Sequence, residues 1–335
     1  MFTKYNSIEN SYRTKAFEEA FDHPEASSTD WSVTEKLDGT NFSIVVTKDS
    51  VQPAKRSGLI HENEKFFGYQ DMYEPLKDKA RDLYISVSRK LGFQPEVVQI
   101  YGEYVGKGIL NRVDYKEKGF YVFDIRVGSE YLNAEYVDIL VSDAGFDPVP
   151  TFFVGTAEEV KDWHDKWLEK DFLFNSTITL DATHGLLDSE PTTLHNVAEG
   201  FVIKPDKALY ATSGSRIILK CKSSKFKEKK SSGSEQKKHL DLSEKDAEVV
   251  NKLLELITES RVYSVVSKIG GVTTKDFGKV LKDMVADVKE DFEKEQQTEL
   301  HLISDSIASI IQTLNKECSI EIRKHWLNII DTNEV

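Results

Sequence analysis

The 335-residue chain contains only two cysteines, Cys221 and Cys318, far apart and without metal-ligand spacing. We therefore expect no disulfide framework and no zinc centre, and a reducing cytoplasm is the expected compartment. Long apolar runs are missing as well, since none reaches the roughly 20 residues of a membrane span, so no membrane partner is expected. The opening Met1-Phe2-Thr3-Lys4-Tyr5-Asn6 is polar and lacks a secretory apolar core. An overall positive charge is also lacking. The net charge of −13 argues against a protein that coats nucleic acid nonspecifically. His61, His184 and His195 form no recognisable pattern, and no internal repeat is present.

What is there is an ordinary soluble mixture, 30% charged and 39% apolar, long enough for two domains with a sizeable core. Positive charge is concentrated late. Arg216, Lys220, Lys222, Lys225, Lys227, Lys229, Lys230, Lys237 and Lys238 stand against only Glu228 and Glu235. A local basic surface on an acidic protein fits a phosphate site; after Phe226 the same run reads equally well as a solvated linker.

Short runs rich in β-branched and aromatic residues have strand length: Phe42–Val46, Val97–Tyr101, Phe120–Ile125, Gly200–Ile203 and Arg216–Cys221. They lack regular βαβ spacing, so an α+β class with a mixed, mostly antiparallel N-terminal domain is expected. The polar stretch Lys229–Lys238 marks a boundary, giving a domain over 1–230, a linker over 231–239 and a small all-helical domain over 240–332. Beyond the linker the apolar period changes from two to about 3.6. Val249, Val250, Leu253, Leu254 and Ile257 form one stripe, with Ser243 as N-cap and Asp246 three residues on. Val262, Val265, Val266 and Ile269 form the next, stopped by Gly270-Gly271. Thr274 is the expected cap for a helix with Phe277, Val280, Leu281, Met284, Val285 and Val288 on one face. Two further stripes run from Leu300 to Leu314 and from Ile322 to Ile330. These are core contacts, not a catalytic constellation.

The chemistry concentrates in Glu35-Lys36-Leu37-Asp38-Gly39-Thr40-Asn41. A lysine followed two residues later by Asp-Gly resembles the nucleophile motif of the covalent nucleotidyltransferases, although Asp-Gly is also a common turn dipeptide. Further segments follow in order: Arg56 within Ala54–Gly58, Tyr101-Gly102-Glu103, Phe120–Ile125, Glu199-Gly200-Phe201-Val202-Ile203-Lys204 and Leu219-Lys220-Cys221-Lys222. A nucleophilic lysine must be neutral to attack phosphorus, yet a free lysine titrates near about 10.4. Burial or nearby positive charge lowers that value. Lys220 and Lys222 lie two apart on a strand and share a face, where they can supply that field and hold phosphates. Glu199 is the first choice for a metal-contacting carboxylate, because hard cations take oxygen ligands. Strict alternation puts Lys204 on the face opposite Glu199. Phe123 alone reads as a core aromatic, and Phe66-Phe67 as a loop pair that either meets a ligand or packs locally.

In this order the motifs resemble the covalent nucleotidyltransferases: DNA ligases, RNA ligases and mRNA capping enzymes. Along the whole chain the sequence is similar to the RNA ligase 2 family of bacteriophages. Phe66-Phe67-Gly68-Tyr69, Val113-Asp114-Tyr115, Ser223-Ser224-Lys225-Phe226, Ser267–Gly270 and Lys275–Val280 carry that likeness. It departs at Asp38, where phage relatives can carry His. The resemblance implies an ATP-grasp-like ligase domain and ATP-dependent joining of RNA 3′-hydroxyl and 5′-phosphate ends, with nicked duplex RNA as the expected substrate. It further implies AMP carried on Lys36, with Mg2+ or Mn2+ as the metal. Glu35 and Thr40-Asn41 would flank the nucleotide, Glu103 would meet the ribose, and Phe123 would stack on adenine. Glu199, Lys204, Lys220 and Lys222 would surround the phosphates, and Arg56 would bind the nucleotide and the RNA 5′-phosphate. Thr40, Arg56, Phe66 and Phe67 are the expected RNA contacts. A monomer is expected, in the host cytoplasm if the gene is a phage's. A DNA ligase or capping guanylyltransferase is the competing reading, and a nonenzymatic RNA binder the third. The helical period of the tail, in place of a β-rich OB domain, separates the first from the second.

Overall fold

Thr40–Val46 is rich in β-branched residues and free of glycine and proline, and it forms a strand. The structure, a computed structural model, describes residues 1–110, 112–170, 173–179, 195–228 and 242–333. The expected linker over 231–239, with Lys229, Lys230, Lys237 and Lys238, lies outside the described residues, as does His184. The chain divides into two units, Met1–Lys225 and Phe226–Val335, so the division falls a few residues before the expected linker.

The first unit holds the strands. In chain order they are β1 (Glu9–Asn10), β2 (Trp31–Lys36), β3 (Thr40–Val46), β4 (Val51–Lys55), β5 (Gly58–Leu59), β6 (Val98–Val105), β7 (Gly119–Val127) and β8 (Glu130–Tyr131). They continue as β9 (Asp147–Pro148), β10 (Thr151–Gly155), β11 (Gly200–Pro205) and β12 (Leu219–Lys222). One sheet has the order β1-β12-β11-β2-β10, the other β5-β4-β3-β6-β7-β8 with β9 on β7. Apart from the parallel pairs β1–β12 and β7–β9, the described pairings between strands are antiparallel. Helices α1 (Thr14–Phe21), α2 (Gln70–Tyr73), α3 (Leu76–Leu91), α4 (Ala134–Asp143) and α5 (Ala157–Lys170) complete the unit.

One face of the first sheet is apolar. Trp31, Val33, Phe201, Ile203, Leu219 and Cys221 pack against Val160, Trp163 and Trp167 of α5. Phe201 lies flat on Phe174, with ring centroids 4.8 Å apart, and edge-on to Trp163 at 4.8 Å. This packing fixes the register of β2, β11 and β12. A one-residue slip would turn Phe201 and Ile203 out of the core.

The second unit is helical, as its period predicts: α6 (Glu244–Glu255), α7 (Glu259–Ile269), α8 (Phe277–Gln296) and α9 (Ile307–Asn333). Ser243 caps α6, its side chain accepting from the Asp246 N–H at 3.2 Å. Gly270, with φ of 78°, ends α7. Two expectations are corrected. The cap before α8 is Thr273, not Thr274: Thr273 and Asp276 form a reciprocal capping box around a short 3-10 turn. The last two stripes belong largely to one helix, α9, with Leu300 in a separate turn before it. No glycine or proline interrupts residues 315–321, and buried Cys318 bridges Leu314 and Ile322 at four-residue spacing. Arg261, fully buried, ties this unit together by donating to Asp287 at 2.5 Å, Asp291 at 2.8 Å and the Leu256 carbonyl at 2.7 Å.

Candidate active site

The centre of the first unit is a junction of three adjacent strands. Register places Gly200 of β11 opposite Lys36 of β2 on one side and Lys222 of β12 on the other. Gly200 has a φ of 145°, and a Cβ there would stand 1.9 Å from the Cys221 carbonyl oxygen. Only glycine lets the strands close here. The preceding residue, Glu199, then receives both lysines. Its Oε2 accepts from Lys36 Nζ at 2.6 Å, and its Oε1 pairs with Lys222 Nζ at 2.8 Å. The carboxylate is 3% exposed. Burial pushes its pKa up, but Lys222, Lys36 and Arg112 outweigh burial and hold it down at about 2. On β12, Leu219 and Cys221 join the apolar core while Lys220 and Lys222 alternate with them, so the two lysines share the other face.

The second sheet supplies a further acid. Asn41 of β3 stands opposite Glu103 of β6. Burial raises the Glu103 carboxyl to about 8, Glu199 and Asp38 add to the rise, and Lys36 and Arg56 oppose it. Arg56, in the turn between β4 and β5, is thus placed to act on the same group. Glu35, next to the lysine on β2, is buried and accepts from the Thr177 N–H at 3.0 Å and the Thr177 hydroxyl at 2.5 Å on one oxygen. Its other oxygen and the Ser176 hydroxyl are both buried without a partner in hydrogen-bond geometry. Burial raises the Glu35 carboxyl, and the nearby dipoles of Ser176 and Thr177 pull it back.

Asp38 follows in a turn packed against β6, where a Cβ on Gly39 would stand 2.3 Å from the Tyr104 carbonyl oxygen. Arg112 grips the Asp38 carboxylate in a fork, Nε to Oδ2 at 3.0 Å and Nη2 to Oδ1. The Asp38 N–H donates to the Tyr115 hydroxyl at 2.9 Å. Burial raises the Asp38 carboxyl even so; Glu199 adds to the rise, while Arg112 and Lys36 oppose it.

Lys204 belongs to a different cluster, although register puts it on the same face of the first sheet as Lys36, Lys220 and Lys222; Glu199, just before β11, is the residue that departs from alternation. Its Nζ donates to the Phe123 carbonyl at 2.5 Å and pairs with Asp124 at 3.3 Å. Asp124 also accepts from Arg216 at 2.9 and 3.1 Å and from the Tyr5 hydroxyl at 2.5 Å. Burial lowers the Lys204 pKa, against the pull of Asp124. The half-buried Phe123 ring packs on Tyr5 at 4.9 Å. Three expected RNA contacts are corrected. Thr40, Phe66 and Phe67 are 1%, 0% and 6% exposed, so none presents a surface to a polynucleotide. The loop between β5 and α2 folds onto the second sheet, where Phe66 meets Phe42 at 6.2 Å and Tyr104 at 6.4 Å. Phe67 takes a left-handed φ of 50°, its carbonyl held by the Tyr104 hydroxyl at 3.0 Å and Lys118 Nζ at 2.7 Å.

Arg112 and Thr177 carry no motif, and although Asp124 and Arg216 lie in segments already singled out, their pairing is missed by sequence reasoning. Their partners lie 74, 142 and 92 residues away, so no spacing announces them. Among the described residues no three acidic, histidine or cysteine side chains meet in metal-binding geometry, and no helix is long and apolar enough to cross a membrane.

A family model described as RNA ligase matches residues 29–222, and one described as T4 RNA ligase 2 C-terminal matches residues 240–320. The mitochondrial RNA-editing ligase 2 of Trypanosoma brucei brucei is 31% identical over 108 residues, 32% of this chain and 26% of that protein. Among solved structures, Naegleria gruberi RNA ligase with PPi is 18% identical, with 66% of this chain and 56% of that one covered at a TM-score of 0.41. A mutant of the same ligase with AMP and Mn is 17% identical over the same shares, also at 0.41. The chain thus spans about a quarter of the curated relative and just over half of these solved chains.

Proposed function

The chain belongs to the RNA ligase family, with a C-terminal part of the T4 RNA ligase 2 type, and we propose that it is an ATP-dependent RNA ligase whose nucleophile is Lys36. The observation that carries this reading is the seating of Lys36 and Lys222 on the two oxygens of one buried carboxylate, Glu199. The arrangement holds an amine in a fixed place among positive charges, where a nucleotide's phosphates would be attracted.

In the first step the Lys36 ammonium gives up a proton to solvent and its nitrogen bonds to the α-phosphorus of ATP. The bond from that phosphorus to pyrophosphate breaks. AMP then passes from Lys36 to the 5′-phosphate of an RNA end. The 3′-hydroxyl of a second end attacks the activated phosphate, and AMP leaves. Lys220 and Lys222 neutralise phosphate charge, and Arg56 binds the RNA 5′-phosphate. Glu35, with an unpartnered buried oxygen, and Asn41 face the nucleotide. Glu103 meets the ribose, and below about pH 8 it retains a proton with which to donate. Phe123 stacks on the adenine. Lys204 acts from below, holding the backbone of Phe123 through its bond to that carbonyl.

The donor chemistry fits Mg2+ or Mn2+. Glu199 offers hard oxygens and would hold the ion by exchanging one ammonium for it, the nucleotide phosphates completing the shell. A bound ion would supply charge neutralisation at the phosphates. RNA repair at nicks in duplex RNA, by a monomer in the cytoplasm of a phage's host, is the finer reading that the resemblance to the RNA ligase 2 family implies.

The helical period after the first unit weighs against a DNA ligase or a capping enzyme. The presence of Lys36, Glu199, Lys220 and Lys222 weighs against a binder without activity. The test is incubation with Mg2+ and ATP or GTP labelled at the α-phosphate. Label from ATP alone, lost in Lys36→Ala with the circular dichroism unchanged, is expected. Label from GTP moves the protein to the capping class, and equal labelling of Lys36→Ala removes Lys36 from its role.

A further inference from the structure

We infer that Arg112 is a positioning residue for the reaction at Lys36: by gripping Asp38 it keeps that carboxylate off the Lys36 ammonium and leaves Lys36 seated on Glu199. The inference rests on the reading of Lys36 as the nucleophile.

Asp38 is two residues beyond Lys36, and its side chain is 1% exposed. A carboxylate so buried takes whichever cation lies nearest. Lys36 is within electrostatic reach of it, and so is the competing carboxylate Glu199. What satisfies Asp38 instead is the Arg112 guanidinium, which takes both carboxylate oxygens at once. That planar fork is the geometry by which arginine outcompetes lysine for a carboxylate. The same short segment holds the backbone of Asp38, because the Tyr115 hydroxyl receives the Asp38 N–H. The turn cannot retreat, since Gly39 lies against the Tyr104 carbonyl. Residues 112 and 115 therefore clamp the turn that follows the nucleophile, and they do so from a segment that carries none of the proposed nucleotide contacts. Without the guanidinium, the counterion left within electrostatic reach of an ionised Asp38 is Lys36. That pairing draws Lys36 away from Glu199 and from the line of attack.

The decisive comparison is Arg112→Gln alone against the neutral double variant Asp38→Asn/Arg112→Gln, each labelled with α-phosphate-labelled ATP and Mg2+. Arg112→Gln is expected to slow labelling at saturating ATP about a hundredfold. The KM for ATP should stay within about threefold, because the clamp does not touch the nucleotide. The double variant, in which no buried charge needs a partner, should recover to within about tenfold of wild type. Wild-type labelling by Arg112→Gln overturns the inference. So does a double variant no faster than the single one, which would put Arg112 on the substrate or in the fold alone. If circular dichroism shows Arg112→Gln unfolded, the double variant decides by itself: labelling within about tenfold of wild type supports the clamp, and labelling as low as that of Lys36→Ala overturns it. Absence of label on the wild-type chain is a distinct outcome, which brings down the function reading and this inference with it.

Discussion

Two carboxylates of one site are set in opposite directions, and their signatures separate. Glu103, whose ordinary value is 4.5, holds its proton in the folded chain up to about pH 8. The unfolded chain releases that proton at the ordinary value, so the folded state loses stability as pH rises from about 4.5 to 8. Glu103→Gln removes this penalty. Its melting temperature relative to wild type is expected to climb over that range and level off above it, and a flat difference would contradict the assignment. Glu199 behaves inversely. Held at about 2, it contributes stability that is full above 4.5 and lost as pH falls towards 2. Glu199→Gln should therefore be most costly near neutrality. At this scale the sequence revealed the residues of the ordered motifs but not their keepers. Lys36, Glu103, Glu199 and Lys222 sit in recognisable segments, whereas Arg112 and Thr177 reach the site through contacts 74 and 142 residues long. Phe66 and Phe67 were misplaced for a related reason: two adjacent aromatics look the same in sequence whether their loop folds inward or outward.

At the scale of elements, the junction of β2, β11 and β12 depends on the absence of a side chain at Gly200. Gly200→Ala drives a Cβ into the Cys221 carbonyl and forces an unfavourable φ. We expect a loss of about 3 kcal/mol, read as a lower melting temperature, together with loss of ATP labelling as Lys36 and Lys222 part from Glu199. Strands with β-branched runs, such as β3, β6 and β7, were legible from composition. The strand that carries Lys36 was not, because Trp31-Ser32-Val33-Thr34-Glu35-Lys36 reads as polar. Its inner polar residues are buried by neighbouring strands, a tertiary fact. The long α9 reads as two stripes in sequence because the position that joins Leu314 to Ile322 at helical spacing is a cysteine, Cys318. The caps of α6 and of the turn before α8 are legible to within a residue, whereas Thr258, which accepts from the Arg261 N–H and starts α7, has no acidic residue three positions on to announce it. Thr258→Ala should cost the second unit about 1 kcal/mol, measurable as a shift in its unfolding midpoint.

On the proposed reading the two units divide the labour. Every residue proposed to touch the nucleotide lies in Met1–Lys225, and the helical unit contributes none. A chain ending at Lys238 is expected to take label from ATP at close to the wild-type rate, yet to seal nicked duplex RNA at least about tenfold more slowly, since positioning the polynucleotide is what the missing unit would supply. Equal sealing by the short chain would remove that role. Fold class and the order of the two units were readable from the change of apolar period alone. The charge balance of the site was legible only in part: the run holding Lys220 and Lys222 stands out in sequence, but its meeting with Lys36 and Glu199 depends on strand pairing. The most direct test of the account is peptide mapping by mass spectrometry after incubation with ATP and Mg2+. The account predicts the mass of one AMP on the peptide containing Lys36 and on no other. AMP on a different lysine, or on none, would contradict it.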